Sequence, residues 1–226
     1  MGGRCGKGQP RTGRSLPVVR PAIPGAPPVH ERRDAAEHRR RILATARELF
    51  AARGVDGVSM QEIARAASVG QGTLYRRYEH KGELCGALMD ESVRRFQADI
   101  LADLAGGGPA LAQLDRFLVR HVAFNEENAP LLGAMADAAF GPRRGSIHAG
   151  PMYGWLRDTV RALLRRAVAD GEIPPADVEY LADAVLAPLA IDLYLYQRHE
   201  RGFTPERIVA GVRRLVLDGL RGDAGT

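Results

Sequence analysis

Residues 58–84 read Val-Ser-Met-Gln-Glu-Ile-Ala-Arg-Ala-Ala-Ser-Val-Gly-Gln-Gly-Thr-Leu-Tyr-Arg-Arg-Tyr-Glu-His-Lys-Gly-Glu-Leu. Ser59 precedes Glu62 by three positions, the spacing of a capping box, in which two side chains take up backbone N–H groups at a helix start. A short helix follows through Ile63, Ala64 and Ala67, then a turn at Ser68-Val69-Gly70, then a second short helix through Leu74, Tyr75 and Tyr78. Two short helices that cross steeply need small residues where they touch and apolar residues on both sides of the turn. Ala64 and Ala67 meet the first need; Ile63, Val69 and Leu74 meet the second. Gln71, Gly72, Thr73, Arg76 and Arg77 are left on the outer face of the second helix, where such a unit faces a DNA major groove. The stretch reads as a helix-turn-helix.

Helical periodicity extends outward on both sides. Upstream, from Asp34, Ile42, Leu43, Ala46, Leu49 and Phe50 form one apolar stripe that ends at Gly54, a C′ glycine. Downstream, Leu84, Leu88, Phe96, Ile100 and Leu104 mark a long amphipathic helix closed by Gly106-Gly107-Gly108-Pro109. Further helical runs are expected over 110–124, 128–139, 150–170, 175–197 and 204–220, the last opened by Thr204-Pro205-Glu206, an N-cap with proline at the first helical position. No alternating β pattern or internal repeat occurs. The expected fold is all-α: a three-helix DNA-binding domain over 34–82, a larger helical domain over 83–220, and a tail over 221–226.

Charge is divided unevenly. Residues 1–33 carry 7 basic and 1 acidic residue, 34–81 carry 9 and 6, and the remainder 16 and 20, within a net charge of +5. A basic front and an acidic body fit a chain whose front meets a polyanion. Residues 1–33 alternate Pro, Gly and Arg without apolar periodicity and read as disordered, either a solvated tail or a basic arm adding phosphate contacts. No run approaches the ~20 apolar residues of a membrane span, and no signal peptide opens the chain, so a cytoplasmic location is expected. Cys5 and Cys85 suggest no disulfide framework, and no Cys/His pair has zinc-ligand spacing. Neither a nucleophile-base-acid set nor a phosphate loop in strand-helix context is visible. No enzyme activity, cofactor or metal is therefore expected; a helical enzyme is the remote alternative.

These residues resemble the tetracycline-repressor (TetR) family of bacterial regulators. The resemblance rests on Ile63-Ala64, Val69, Gly72-Thr73-Leu74-Tyr75, the aromatic at Tyr78, Lys81 and Leu84, behind a helix ending in Gly54. It is close over about 50 residues and holds beyond them only as a succession of helices. Two positions depart from it. Ser68 replaces the usual turn glycine, at a cost of about 1 kcal/mol in a left-handed conformation. Gly70 replaces a Ser or Thr cap, a few tenths of a kcal/mol worse. The resemblance implies that Gln71 pairs with adenine and Arg76 or Arg77 with guanine, that Thr73 meets a thymine methyl or a phosphate, and that Gly72 lets the backbone approach the groove. Ser59, Tyr75 and Lys81 are then phosphate contacts that position without reading sequence.

The resemblance also makes 83–220 a ligand-binding and dimerisation part. Phe96, Phe117, His121, Phe124, Met135, Phe140, Met152, Trp155 and Tyr194 are candidates to line its pocket, or to fill its core. Helices over about 175–197 and 204–220, striped by Leu181, Val185, Leu189 and by Ile208, Val212, Leu215, Val216, would pair with a second copy as a four-helix bundle. The implied function is a dimeric repressor on a palindromic double-stranded DNA operator, released by an unidentified small-molecule effector. Control by a protein partner, and action as an activator, are the alternatives.

Overall fold

The computed structural model describes residues 29–139, 148 and 150–221. Cys5 and the basic segment up to residue 28, Phe140 and the tail 222–226 lie outside the described residues. The helices are α1 (Val29–Arg53), α2 (Met60–Ala66), α3 (Gln71–Arg77), α4 (Lys81–Ala105), α5 (Ala110–Ala139), α6 (Pro151–Ala169), α7 (Val178–Leu186), α8 (Ile191–His199) and α9 (Pro205–Arg213). No strand occurs among the described residues. The fold is all-α, with helix-turn-helix elements first and a larger helical body after them.

Three element boundaries differ from expectation. α1 begins at Val29, five residues before Asp34. Nothing in Val29-His30-Glu31-Arg32-Arg33 breaks a helix, and the first stop met going back is Pro27-Pro28, since a residue before proline is biased away from helix. The break expected between the runs 110–124 and 128–139 does not occur: α5 is continuous and runs through Pro130. Proline inside a helix costs about 3 kcal/mol, and here burial outweighs it, because Val122, Phe124, Asn125 and Asn128 before it and Ala134 and Ala136 after it are all buried. Conversely, the helix expected over 175–197 is split by a 3₁₀ turn at Ala187–Leu189 that contains Pro188.

From His38 onward the chain folds around two apolar cores. The smaller joins Ile42, Ala46 and Phe50 of α1 to Met60, Ile63 and Ala64 of α2, Leu74 of α3 and Tyr78. Leu84, Cys85 and Leu88 of α4 and Ala134 of α5 complete it. The larger takes Phe96 and Ile100 of α4, the first half of α5, and apolar faces of α6 to α9. α4 thus belongs to both cores, and no gap in packing falls at residue 82. α9 continues through a π-helical turn at Arg214–Asp218 into Gly219–Arg221. The wider turn lets the adjacent Val216 and Leu217 both face inward.

Buried polar side chains fasten the body. Gln113, fully buried on α5, donates from Nε2 to the carbonyls of Asp103 and Leu104 at 3.0 and 3.2 Å and accepts from Arg166 at 2.6 Å. It thereby adds a side-chain donor to carbonyls at the end of α4 that also accept from Gly106 and Gly107. The Glu172 carboxylate accepts from the Ala110 and Leu111 N–H groups at 2.6 and 2.8 Å and caps α5. Glu126 accepts from the Tyr194 hydroxyl at 2.6 Å and from two nitrogens of Arg198 at 2.8 and 2.6 Å, tying α5 to α8. Those donors hold the Glu126 carboxyl at about 2. Sequence reading missed these ties; a lone Gln, Asn or Glu on an apolar stripe was the available signal.

Candidate nucleic-acid interface

α2 opens on the expected capping box. The Glu62 N–H donates to Ser59 Oγ at 3.2 Å, while the Ser59 N–H donates to Glu62 Oε2 at 2.8 Å. The Ser59 hydroxyl also donates to Glu62 Oε2 at 2.9 Å, and Arg53 donates to Oε1 at 3.1 Å. These bonds, the Ser59 backbone first, hold the Glu62 carboxyl down to about 2. The Ser59 side chain thus fills the capping role expected of it, with Glu62 as its partner.

The turn is a Schellman motif. Val69 N–H donates to Ala64 carbonyl at 3.0 Å and Ser68 N–H to Arg65 carbonyl at 3.1 Å. Ser68 holds a φ of 52°, the left-handed position where glycine is usual. Gly70 then caps α3 without a side-chain bond. Leu74, 0% exposed, anchors α3 to the small core. Gly72 and Arg76, each two residues from Leu74, fall on the opposite side of the helix. They are exposed, as are Gln71 and Arg77; Thr73 is half-buried and Tyr75 is 42% exposed. Arg76 and Arg77 form no ion pair with a described residue. A Cβ on Gly72 would meet nothing within 4 Å.

Lys81, expected at a phosphate, is also tied to the fold. Its ammonium donates to the Val55 carbonyl at 2.9 Å and the Val58 carbonyl at 3.2 Å, closing the loop between α1 and α2. Two of its three protons therefore serve the fold. His80, read as a plain turn residue, is the N-cap of α4, accepting at Nδ1 from the Glu83 N–H at 3.3 Å. Tyr78 is buried in the small core, its hydroxyl without a partner.

In the body, five of the pocket candidates come together. Phe96 lies 6.5 Å from Phe117, 6.1 Å from His121, 4.7 Å from Phe124 and 5.9 Å from Trp155, ring centre to ring centre. Met152 packs on the same core, half-buried. Met135 lies between the two cores, beside Gly86. Tyr194 is buried and committed to Glu126.

A three-helix head with a Schellman-turned helix pair and an exposed basic helix face is a helix-turn-helix unit, the arrangement that suits a DNA groove. Residues 42–88 match the model of the bacterial regulatory proteins of the tetR family. Over that segment the chain is similar to the family, and the match does not extend into the body. An HTH-type transcriptional regulator of Staphylococcus aureus is 40% identical over 65 residues, 29% of this chain and 35% of that protein. The chain thus spans about a third of the length of that curated relative. The fold is similar to that of Thermus thermophilus FadR, a TetR-family transcriptional repressor solved with lauroyl-CoA, with a TM-score of 0.66 and 21% identity over 83% of this chain and 98% of that one. It is also similar to AibR, solved with isovaleryl coenzyme A and operator DNA, at a TM-score of 0.53 and 23% identity over 79% and 97% of the two chains. No helix among the described residues is long and apolar enough to cross a membrane.

Proposed function

We propose that the chain is a repressor that pairs with a second copy on a palindromic operator and leaves it when a small molecule enters the body. The observation that carries the reading is the face of α3: Gly72 and Arg76 point away from Leu74, with Gln71 and Arg77 exposed beside them. Arg76 or Arg77 reads guanine bidentately, Gln71 reads adenine, and Gly72 admits the backbone to the groove. Tyr75 and Thr73 contact phosphate. Lys81 keeps one proton for a phosphate while fixing the loop.

Pairing is supported by what α7 to α9 leave uncovered. Val185, Leu189, Ile208, Val212 and Val216 are buried within the chain, so they serve the body's own core instead of the subunit contact. Tyr180, Leu193, Tyr196 and Leu215 are the exposed apolar residues on these helices, and a second copy would cover them. Two copies place two α3 helices on half-sites about one DNA turn apart.

Release is a population shift. A ligand that prefers the arrangement incompatible with two half-sites draws the dimer off DNA. α4 is the element both cores share, so a displacement in the body carries α3 with it. FadR and AibR were solved with acyl-CoA molecules, which makes acyl thioesters one class of effector to test. The experiment for the DNA reading is selection of genomic fragments by the purified protein and by Arg76→Ala/Arg77→Ala. A palindromic site enriched by the first and lost by the second supports it; no enrichment at moderate salt overturns it.

A further inference from the structure

We propose that His121 and the rings around it form a binding site for an uncharged aromatic molecule with one hydroxyl, which donates to His121 Nδ1. This names an effector class and rests on the ligand-responsive reading above. His121 is 6% exposed, and its Nδ1 has no hydrogen-bond partner. A buried polar atom left so costs about 1–3 kcal/mol and calls for a reason. The same helix satisfies its other buried polar groups: Asn125 donates to the Leu189 carbonyl at 3.1 Å and Asn128 to the Phe124 carbonyl at 2.8 Å. His121 alone among them is left open.

Its surroundings select the guest. Phe117 lies 5.8 Å away and Phe96 6.1 Å, with Phe124 and Trp155 packed on Phe96. These rings already pack on one another, and a flat guest entering beside them would meet their faces or edges at the same centroid distances of roughly 4.5–7 Å. Glu126, five residues along α5, is held by Arg198 and Tyr194 and is not a free counter-charge for a cation. Burial also keeps the imidazole neutral, pushing its pKa down to about 4, so Nδ1 can accept. Trp155 and Met152, on α6, are only half-buried, so the cluster opens on that side.

Trp155 is the chain's one tryptophan, so its emission reports on this cluster alone. The full chain is titrated with para-butylphenol and with para-butylanisole, which lacks the donor, by calorimetry and by Trp155 fluorescence. The phenol is expected to bind about tenfold tighter than the anisole and to change the emission, and His121→Phe to bind both as weakly as the anisole. Equal affinity of the native chain for the two, or binding of neither, overturns the proposal, and would mean that a buried water completes His121; this comparison needs no variant to fold. Operator release is measured in parallel. A lauroyl-CoA response that leaves Trp155 and His121 uninvolved would sink this site and keep the ligand-responsive reading. Phenol binding without release from DNA would keep the site and sink the effector role.

Discussion

Gly82, in the first turn of α4, lies so close to Ala138 near the end of α5 that a Cβ there would stand 2.8 Å from the Ala138 Cβ and 3.2 Å from the Ala134 carbonyl oxygen. Real Cβ atoms do not approach this closely, so the contact exists only because residue 82 has no side chain. Gly82→Ala gains helix propensity of up to about 1 kcal/mol but forces α4 and α5 apart, an overpacking cost of typically 1–3 kcal/mol. The expected net effect is a loss of about 1 kcal/mol in denaturant unfolding. A neutral or stabilising result would mean that the two helices separate freely.

Gly72→Ala tests the opposite situation. The added methyl meets nothing on this chain, so α3 should gain roughly 0.5–1 kcal/mol of stability. If Gly72 lies against a groove, operator affinity should fall while stability rises. Affinity rising with stability would place Gly72 away from DNA.

Ser68 sits at φ 52°. Ser68→Gly relieves a left-handed penalty of about 1–2 kcal/mol and adds the backbone entropy cost of glycine, so a net gain of about 0.5 kcal/mol is expected. Thermal unfolding of the two proteins side by side measures it, and a drop in midpoint would contradict the Schellman geometry.

Glu62 links the head to pH. Its folded-state carboxyl lies at about 2 against an ordinary 4.5. A depressed carboxyl contributes stability above the unfolded value and loses it as pH falls through the folded one. Stability should therefore decline from about pH 4.5 towards pH 2, and Glu62→Gln should flatten part of that decline. Urea midpoints of both proteins across this window decide it; parallel curves would remove Glu62 from the account.

Lys81 separates folding from DNA binding. Lys81→Met removes two bonds to backbone carbonyls and should cost about 1–2 kcal/mol. Each phosphate deprived of its protein cation lowers the salt dependence of DNA binding by about one in log-log slope. A slope unchanged in Lys81→Met assigns Lys81 to the fold alone; a slope reduced by about one gives it a phosphate as well.

The head was largely legible in the sequence because its signals are local. Ser59 and Glu62 form the predicted cap, Ser68 takes the left-handed turn, Leu74 faces inward and Arg76 outward. Each follows from residues within a few positions of one another. The body was less legible because its outcome turns on distant partners. Pro130 signals a break only until the burial of α5 on both sides of it is known, and Pro188, which does break a helix, sits in a run as apolar as any other. The tie of Lys81 to the fold was not legible because the carbonyls that hold it lie more than twenty residues earlier. The stripes on α7 to α9 were correctly apolar, but periodicity cannot say whether a face turns to its own chain or to a copy.

The π turn in α9 has a consequence for how this helix is compared with others. One widened turn over Arg214–Asp218 holds about one residue more than a turn of regular helix, which delays all that follows by roughly 100°. A heptad frame laid on Pro205–Arg213 therefore fails beyond Arg214, and it misassigns Leu215, which is 67% exposed, relative to Val216 and Leu217. A relative lacking the bulge would align to this chain only across a gap in mid-helix. Removing a single residue here would leave the helix whole yet exchange which side chains it shows to the interior and which to a neighbour, a change of phase that no substitution can imitate.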